Sequence, residues 1–583
     1  MTDCQTSDRE PVVIVEIQQP YCSLTHGVGA CTATETGDDK CFNTRFTCND
    51  SANFDLSSLS LYFTRGTYAE QYTEGVPYAI PSLLSVTTSP TRVNLAGTDR
   101  SASGLGNRAL CTITLQDHPH TDRRVDPYLS DRTYDPMERA SFWTKWLARN
   151  PYRNNAVVKV YECYEGVALS SMHVRTFILQ EVSGPTPDGK VTLKCKDVLT
   201  QLEERKSQAP LASPGVLYED IDASATSIKV ANAVAADYGA TGTIRVDEEL
   251  MTYSAISTNG GYITFTITAR GSDGTTAASH DLDEPVQECL RYTSERVDDI
   301  LEDLLNVYGG IPSAYLDTTA WATEVDNHLA AILMTTIVST PTAVTELVSS
   351  LQVEAMCYIW WDEVAGKVKL QAIRGRTTDP DLLTDERHIV AGSFSLTERP
   401  AERVSQLWLY YSPKLWTDSL TDENNWKYLY VSADLQSETD ELYGEPSIRK
   451  IFARWVPTSS IALSTGSKLV GRYASVPRRC KFRMDAKDRS YWVGDIVRIS
   501  HFLDVDAAGE KQINTWTILS AEEVIPGTTV EYEAEDTTLY GNIVVIQAAG
   551  AGDYVSGTSD LFDGWIGDAA GKLSDGEDCA RAT

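Results

Sequence analysis

Residues 11–50 read PVVIVEIQQPYCSLTHGVGACTATETGDDKCFNTRFTCND. The opening PVVIVEIQ, residues 11–18, is apolar and β-branched and predicts a strand. Beyond it the composition turns to Gly, Thr, Asp and Asn, which marks a long wrapping loop. Into that loop fall Cys22, Cys31, Cys41 and Cys48, four of the twelve cysteines in the chain. A strand feeding a cysteine-bearing loop predicts a β domain that holds something by its sulfurs.

The spacing, C-x8-C-x9-C-x6-C, leaves three readings open. A zinc site usually starts from a tight C-x2–4-C knuckle, because one ion gathers its sulfurs at about 2.3 Å, and no tight pair is present. An iron–sulfur cluster takes its thiolates from well-separated points on a loop. Two disulfides also fit the spacing. Gly27, Gly29 and Gly37 would let the backbone pass close to a cluster. His26, inside the loop, is expected either at the loop surface or in support of the thiolates rather than in place of one.

The chain has 583 residues, enough for three to five domains, and is 42% hydrophobic and 9% aromatic, enough for real cores. Its formal net charge of −32 gives a surface that repels nucleic acid and anionic membrane. The start, MTDCQTSDREP, lacks the basic residues and apolar run of a secretion signal. The longest apolar run, around Ala330 to Met334, is too short to span a membrane, so no stable membrane insertion is expected. Synthesis in a reducing cytosol follows as an expectation, and it weighs against structural disulfides.

The strand at 11–18, then Y-C-S-x4-G-V-x-x-C-T-A, then K-C-F-N-T-x-x-T-C-N-D, resembles the start of the tail-tip hub proteins of long non-contractile-tailed phages and of gene transfer agents. The resemblance is dense over about forty residues and weaker along the rest of the chain. It implies a [4Fe–4S] cluster on Cys22, Cys31, Cys41 and Cys48, with zinc the weaker alternative. It also implies tube-like β-barrels and a homotrimer that presents six barrels to a six-fold ring. The implied partners are tail tube and distal tail proteins, tip or central fibre proteins and the tape-measure protein, with genome DNA only passing through. The implied location is the virion tail tip, after synthesis in the host cytoplasm.

Along the chain, ALCTITLQD alternates Cys111, Ile113 and Leu115 with polar residues and reads as a half-buried strand. DPMERASFWTKWLARN reads as one helix capped by Asp135, with Pro136 at its first position and Trp143, Trp146 and Leu147 on one face. AVVKVYECY and MHVRTFILQEV return to strand. Together these predict a β-barrel with a packed helix over residues 1–200, including the loop at 20–50. QLEERKSQAPLASPGVL is a connector. The stretch GTIRVDEELMTYSAI…YITFTITARGSDGTTAASH, with its Arg270–Gly271 turn and the run before His280, resembles a small β module common in phage tail proteins. It predicts an inserted module at 218–290.

A helix-rich α+β domain is expected at 293–390: one helix capped by Ser294 and ended by Gly309–Gly310, a second over Trp321–Met334, a third from Thr340–Pro341, and the hairpin YIWWDEVAGKVKLQAI. Residues 391–545 read as a second β domain, from SQLWLYYS, WKYLYVSA, RRCKFRMD, VGDIVRIS and TWTILSAEEV. Its aromatics at 408, 410, 411, 426, 428 and 430 are expected in barrel core, with one strand face left for a neighbouring subunit. Residues 546–583 form an acidic, glycine-rich tail. The fold class is therefore mainly β with an α+β middle, multidomain.

Some motifs imitate chemistry. GPTPDGKV at 184–191 lacks the hydroxyl and the helix of a phosphate loop and reads as a hairpin turn. DHPHTD at 117–122 places His118 and His120 near two aspartates but reads as a polar turn. Cys357 and Cys480 are expected as small core residues. No G-x-S-x-G, H-E-x-x-H or G-x-G-x-x-G signature is present, so no catalytic residue is assigned and a non-enzymatic role is expected. The expected function is a structural hub that joins and closes the tail tube and anchors distal proteins. The alternatives are an iron–sulfur redox protein or a polysaccharide-active tail protein.

Overall fold

Strand β1 spans Pro11–Cys22, four residues beyond the apolar run that predicts it. It lies inside an eight-stranded sheet with β2 (Leu56–Thr64), β3 (Ala79–Ile80), β4 (Leu83–Ser89), β5 (Leu110–Gln116), β6 (Val157–Tyr164), β7 (His173–Ser183) and β8 (Lys190–Lys196). The strand order is β3-β2-β1-β6-β7-β8-β5-β4. Its two edges, β3 and β4, are separated only by Pro81 and Ser82, which draws the ends together and curls the sheet into a barrel. Cys111, Ile113 and Leu115 point inward as their alternation predicts. The computed structural model describes residues 11–66, 78–99, 104–164, 166–203, 206–374, 381–488, 490–525 and 527–537, with two short paired segments at 565–566 and 580–581. The tail expected at 546–583 otherwise lies outside the described residues.

The expected single helix from Asp135 is two pieces. Asp135 accepts the Met137 N–H at 2.9 Å over a 3-10 turn at Pro136–Glu138. The chain then breaks at Ala140, whose φ of +36° leaves helical space. Helix α1 (Phe142–Arg149) starts afresh, and Asp117 accepts the Trp143 N–H at 3.0 Å. Trp143 and Trp146 are fully buried, and Trp143 stacks on Phe63 of β2 at 5.5 Å. GPTPDGKV makes the β7–β8 hairpin: the Thr186 N–H donates to the Lys190 carbonyl at 2.9 Å, and Gly189 takes the left-handed φ of +75° that the turn requires.

The next sheet contains β9 (Val216–Leu217), β10 (Ser227–Ala231), β11 (Gly242–Val246), β12 (Glu249–Asn259), β13 (Tyr262–Ala269) and β14 (Val286–Arg296). Leu217, Ile228, Val230, Ile244, Met251 and Phe265 give it a core of its own. Chain entry and exit touch, since the Val286 N–H donates to the Gly215 carbonyl at 2.9 Å. The Arg270–Gly271 turn is locked on Glu249. The Arg270 guanidinium meets both carboxylate oxygens at 2.7 and 2.8 Å, and Gly271 N–H, Ala278 N–H and His280 add contacts at 2.8, 2.9 and 2.9 Å.

Burial alone would raise the Glu249 carboxyl, but these donors win and hold it down at about 2. A depressed folded pKa stabilises above the unfolded value, about 4.3, and is lost as pH falls through the folded one. The expected result is that hydrogen-exchange protection in β11–β13 is flat above about pH 5 and drops from there toward pH 2. Glu249→Gln should lower protection at neutral pH and flatten that acid slope. An unchanged slope in the variant would remove Glu249 as its source.

Strand β14 runs through Arg296 and pairs with β15 (Leu333–Val338). Ser294 is therefore inside a strand and not a helix cap, because pairing with β15 outweighs a local capping preference. Helix α2 (Val297–Asp303) begins after Arg296 and widens into a π-helical turn at Leu304–Tyr308. Helix α3 is Thr318–His328, shorter than expected, since Leu333 and Met334 are taken into β15. Helix α4 (Val344–Ala355) buries Val344, Leu347, Val348 and Leu351, and the hairpin follows as β16 (Cys357–Asp362) and β17 (Lys367–Ala372).

A six-stranded sheet is built from β18 (Leu382–Thr384), β19 (Ser395–Glu398), β23 (Arg478–Asp485), β24 (Ile496–Ser500), β25 (Asn514–Ile525) and β26 (Thr529–Asp536), in the order β18-β24-β25-β26-β23-β19. Between these strands in sequence lie β20 (Gln406–Pro413), β21 (Trp426–Ala433) and β22 (Ile448–Ala453), which form a separate three-stranded sheet. The aromatic strands thus do not line the six-stranded sheet. Helix α5 (Ser459–Tyr473), which the sequence reading did not identify, packs against β20 and β21. Leu407, Leu409 and Tyr411 are buried, while Tyr428, Leu429 and Val431 of β21 stay exposed. A Cβ at Gly466 would come within 2.6 Å of Tyr430, so the helix approaches the sheet only through glycine. Cys357 and Cys480 are buried core residues, as expected. One large core, including Trp321, Leu347 and Trp516, runs from the helical block into the six-stranded sheet. The chain is mainly β and multidomain. Among the described residues no helix is long and apolar enough to cross a membrane.

Candidate metal centre

Cys22 is the last residue of β1 and pairs in register with Leu56, the first of β2, so the two strands close the cysteine loop like a clasp. The Cys22 N–H donates to the Asn43 carbonyl at 2.7 Å, and the Asn43 amide returns to the Cys22 and Leu24 carbonyls at 3.2 and 3.1 Å. Asn43 sits at φ +52°, a conformation Asn tolerates better than most residues. The Thr32 N–H and hydroxyl both donate to Asp50, at 2.7 and 2.9 Å, which joins the Cys31 and Cys48 limbs. Gly27, Gly29 and Gly37 all have positive φ, between +56° and +67°. Nothing lies within 4 Å of a Cβ built on Gly29, so left-handed backbone, not close approach, is what glycine supplies there.

The four thiols lie near enough for their charges to act on one another. Cys22 and Cys41 are buried, Cys31 and Cys48 half-buried, and none is in a disulfide. Burial raises the Cys41 thiol, and the charges of Cys48, Cys31 and Cys22 raise it further. Burial, and then Cys22 and Cys31, act the same way on Cys48. Such a set repels itself as thiolates unless a cation is shared. Yet no three of these sulfurs lie within 4.8 Å of one another. Four thiolates on one zinc ion would stand about 3.8 Å apart. A cluster that spreads its thiolates over separate irons accepts the wider cup. The donor set therefore fits an iron–sulfur cluster better than zinc. His26 is buried beside it, with Nδ1 3.5 Å from Cys41 Sγ and Nε2 3.0 Å from the Glu35 carbonyl. That position suits support of a thiolate.

The residues that hold the cup come from far along the chain, and sequence reading missed them. Arg132, with its side chain wholly buried, donates to the carbonyls of Gly37, Asp38, Lys40 and Cys41 at 2.9–3.2 Å. Asp126 pairs with the same guanidinium at 2.8 Å. Phe42 lies between the guanidinium groups of Arg132 and Arg149, at 4.2 and 4.0 Å. Asp122, in the DHPHTD turn, binds Lys145 at 2.7 Å and Arg149 at 2.6 Å, and these cations with the His120 hydrogen bond hold its carboxyl well below the usual range. The turn is an anchor between α1 and the loop. Its first histidine, His118, stacks on Phe142 at 5.9 Å.

No family model matches the chain, and no curated protein matches it. Among solved structures, a tail protein from Neisseria meningitidis MC58 is 8% identical with a TM-score of 0.36, covering 74% of this chain and 90% of that one. The 43 kDa tail protein of prophage MuSo2 from Shewanella oneidensis is 9% identical with a TM-score of 0.34, covering 78% and 97%. A chain of a native gene transfer agent virion is 10% identical with a TM-score of 0.19, covering 53% and 90%.

Proposed function

We propose that this chain is a structural protein of a phage or phage-like tail, the hub of the tail tip. It works as a homotrimer, and a [4Fe–4S] cluster on Cys22, Cys31, Cys41 and Cys48 stabilises it. The observation that carries the reading is the cysteine cup itself: four free thiols, near enough for their charges to interact, lie in one loop at the end of β1, in the sequence frame that resembles such hubs. When bound, the cluster would supply a cross-link among four points of one loop. The chain's own residues make that cross-link structural. Asn43 and Asp50 tie the limbs to each other, and Arg132 and Arg149 tie them to the barrel and α1.

Two further features support the tail role. The six-stranded sheet, like the first barrel, has its edge strands brought together, here by residues 385–394, giving two curled β units per chain and six in a trimer. A net charge of −32 suits a conduit through which DNA passes without sticking.

The test is purification without oxygen, followed by iron and sulfide analysis and native mass measurement. The expected result is about four irons per chain, a trimeric mass alone or in the assembled particle, and no turnover with redox partners or cell-wall polysaccharides. A chain that is monomeric in both settings would overturn the hub. Iron-free protein of full stability would overturn the cluster, and turnover of either substrate class would favour an enzyme.

A further inference from the structure

We propose that Glu162, His173 and Glu523 form a second metal site, for a divalent transition-metal ion of the zinc class, at the seam between the two curled β units. Glu162 on β6 and His173 on β7 are direct cross-strand partners in the first barrel. Glu523 reaches them from β25 of the other sheet. One ligand atom from each lies within 4.8 Å of the other two. His173 Nδ1 is 3.5 Å from Glu523 Oε2 and 4.0 Å from Glu162 Oε2. Ligands at 2.0–2.2 Å from a tetrahedral zinc ion stand about 3.4 Å apart. Small side-chain rotations would therefore seat the ion, and one imidazole with two carboxylates is a donor set that zinc accepts.

The surroundings are those of a built site. Arg175 donates to both oxygens of Glu162, at 3.0 and 2.8 Å, which fixes that carboxylate. Trp492 meets the His173 ring edge-on at 5.2 Å, and the Gly527 N–H donates to Glu523. Each ligand is thus oriented by a group that is not itself a ligand, as in established metal sites. Charge supplies an independent argument. Glu162, Glu363 and Glu523 are all buried, and Arg175 is the buried cation among them. Glu363 is 2% exposed; its Oε2 lies 3.8 Å from Arg175 and accepts no hydrogen bond. A divalent cation in this low-dielectric seam would let three buried carboxyls ionise together where one guanidinium alone faces them.

The full-length protein, purified with its iron intact and cleared of loose metal, is titrated with zinc and separately with cobalt(II). The expected result is one tightly bound ion per chain, a higher melting temperature, and a cobalt spectrum of nitrogen and oxygen ligation without the intense sulfur-to-metal band. His173→Gln, at a half-buried position, and Glu523→Gln should each weaken zinc binding by at least about tenfold. If wild type binds no zinc, the three groups share a proton instead and the proposal fails. It also fails if both variants bind zinc as wild type does.

Discussion

Arg132→Met is expected to empty the cysteine cup without touching a cysteine. The side chain is wholly buried and serves three tasks: it neutralises Asp126, satisfies the carbonyls of Gly37, Asp38, Lys40 and Cys41, and covers one face of Phe42. Methionine keeps much of the volume but none of the donors. Asp126, with its side chain 1% exposed, would be left as an unpaired buried charge. Breaking a buried ion pair on one side costs about 3–5 kcal/mol, and orphaned carbonyls add to it. The loop at 37–42 should become the first site of proteolytic cleavage, and, under the proposed cluster, iron content should fall with all four cysteines present. Full iron and wild-type protease resistance would show that Arg132 does not organise the loop. The variant separates positioning from ligation, which Cys41→Ser cannot do.

Arg479→Met is the second large effect, and it acts between parts of the chain far apart in sequence. The guanidinium meets Glu402 at 2.7 Å, Glu535 at 3.2 Å and Asp99 at 3.3 Å, with every partner buried. Asp99 belongs to the segment that carries the first barrel onto the six-stranded sheet, where the Val93 N–H donates to the Leu519 carbonyl at 3.0 Å. Without the arginine, Glu402 loses its 2.7 Å cationic contact, while Asp99 keeps Arg92 at 3.4 Å. The expected loss is again about 3–5 kcal/mol near neutral pH.

Its pH dependence gives a second check. Burial already raises the Glu402 carboxyl even beside Arg479. Removing the cation raises it further, so the folded variant binds a proton more tightly than the unfolded chain. Stability of that kind grows as pH falls through the folded value toward about 4.3, the unfolded one. The deficit against wild type, measured by urea unfolding, should therefore shrink from pH 8 to pH 5. A deficit that widens on acidification would contradict this origin.

Local pattern in the amino-acid sequence determined a great deal here. The apolar run at 11–18 made β1, the alternation of Cys111, Ile113 and Leu115 made a half-buried strand, and Asp188–Gly189 made a hairpin where a phosphate loop was imitated. These succeed because period-two burial and turn chemistry act over a few residues. The four cysteines were legible for the same reason, as an anomaly of composition within one loop. Tertiary structure decided the rest. Ser294 lost its capping role, and Met334 its helix, to pairing between β14 and β15. The aromatic strands β20 and β21 went to a sheet of their own under α5, whose Ser, Thr and Gly residues hide its buried face from any hydrophobic count. Arg132, Asp126 and Arg149, which hold the cup, and Glu162, His173 and Glu523, which meet at the seam, carry no motif. Each is an ordinary charged or polar residue until the chain folds, because a buried charge acquires its meaning from partners brought to it across the fold and not from its neighbours in sequence.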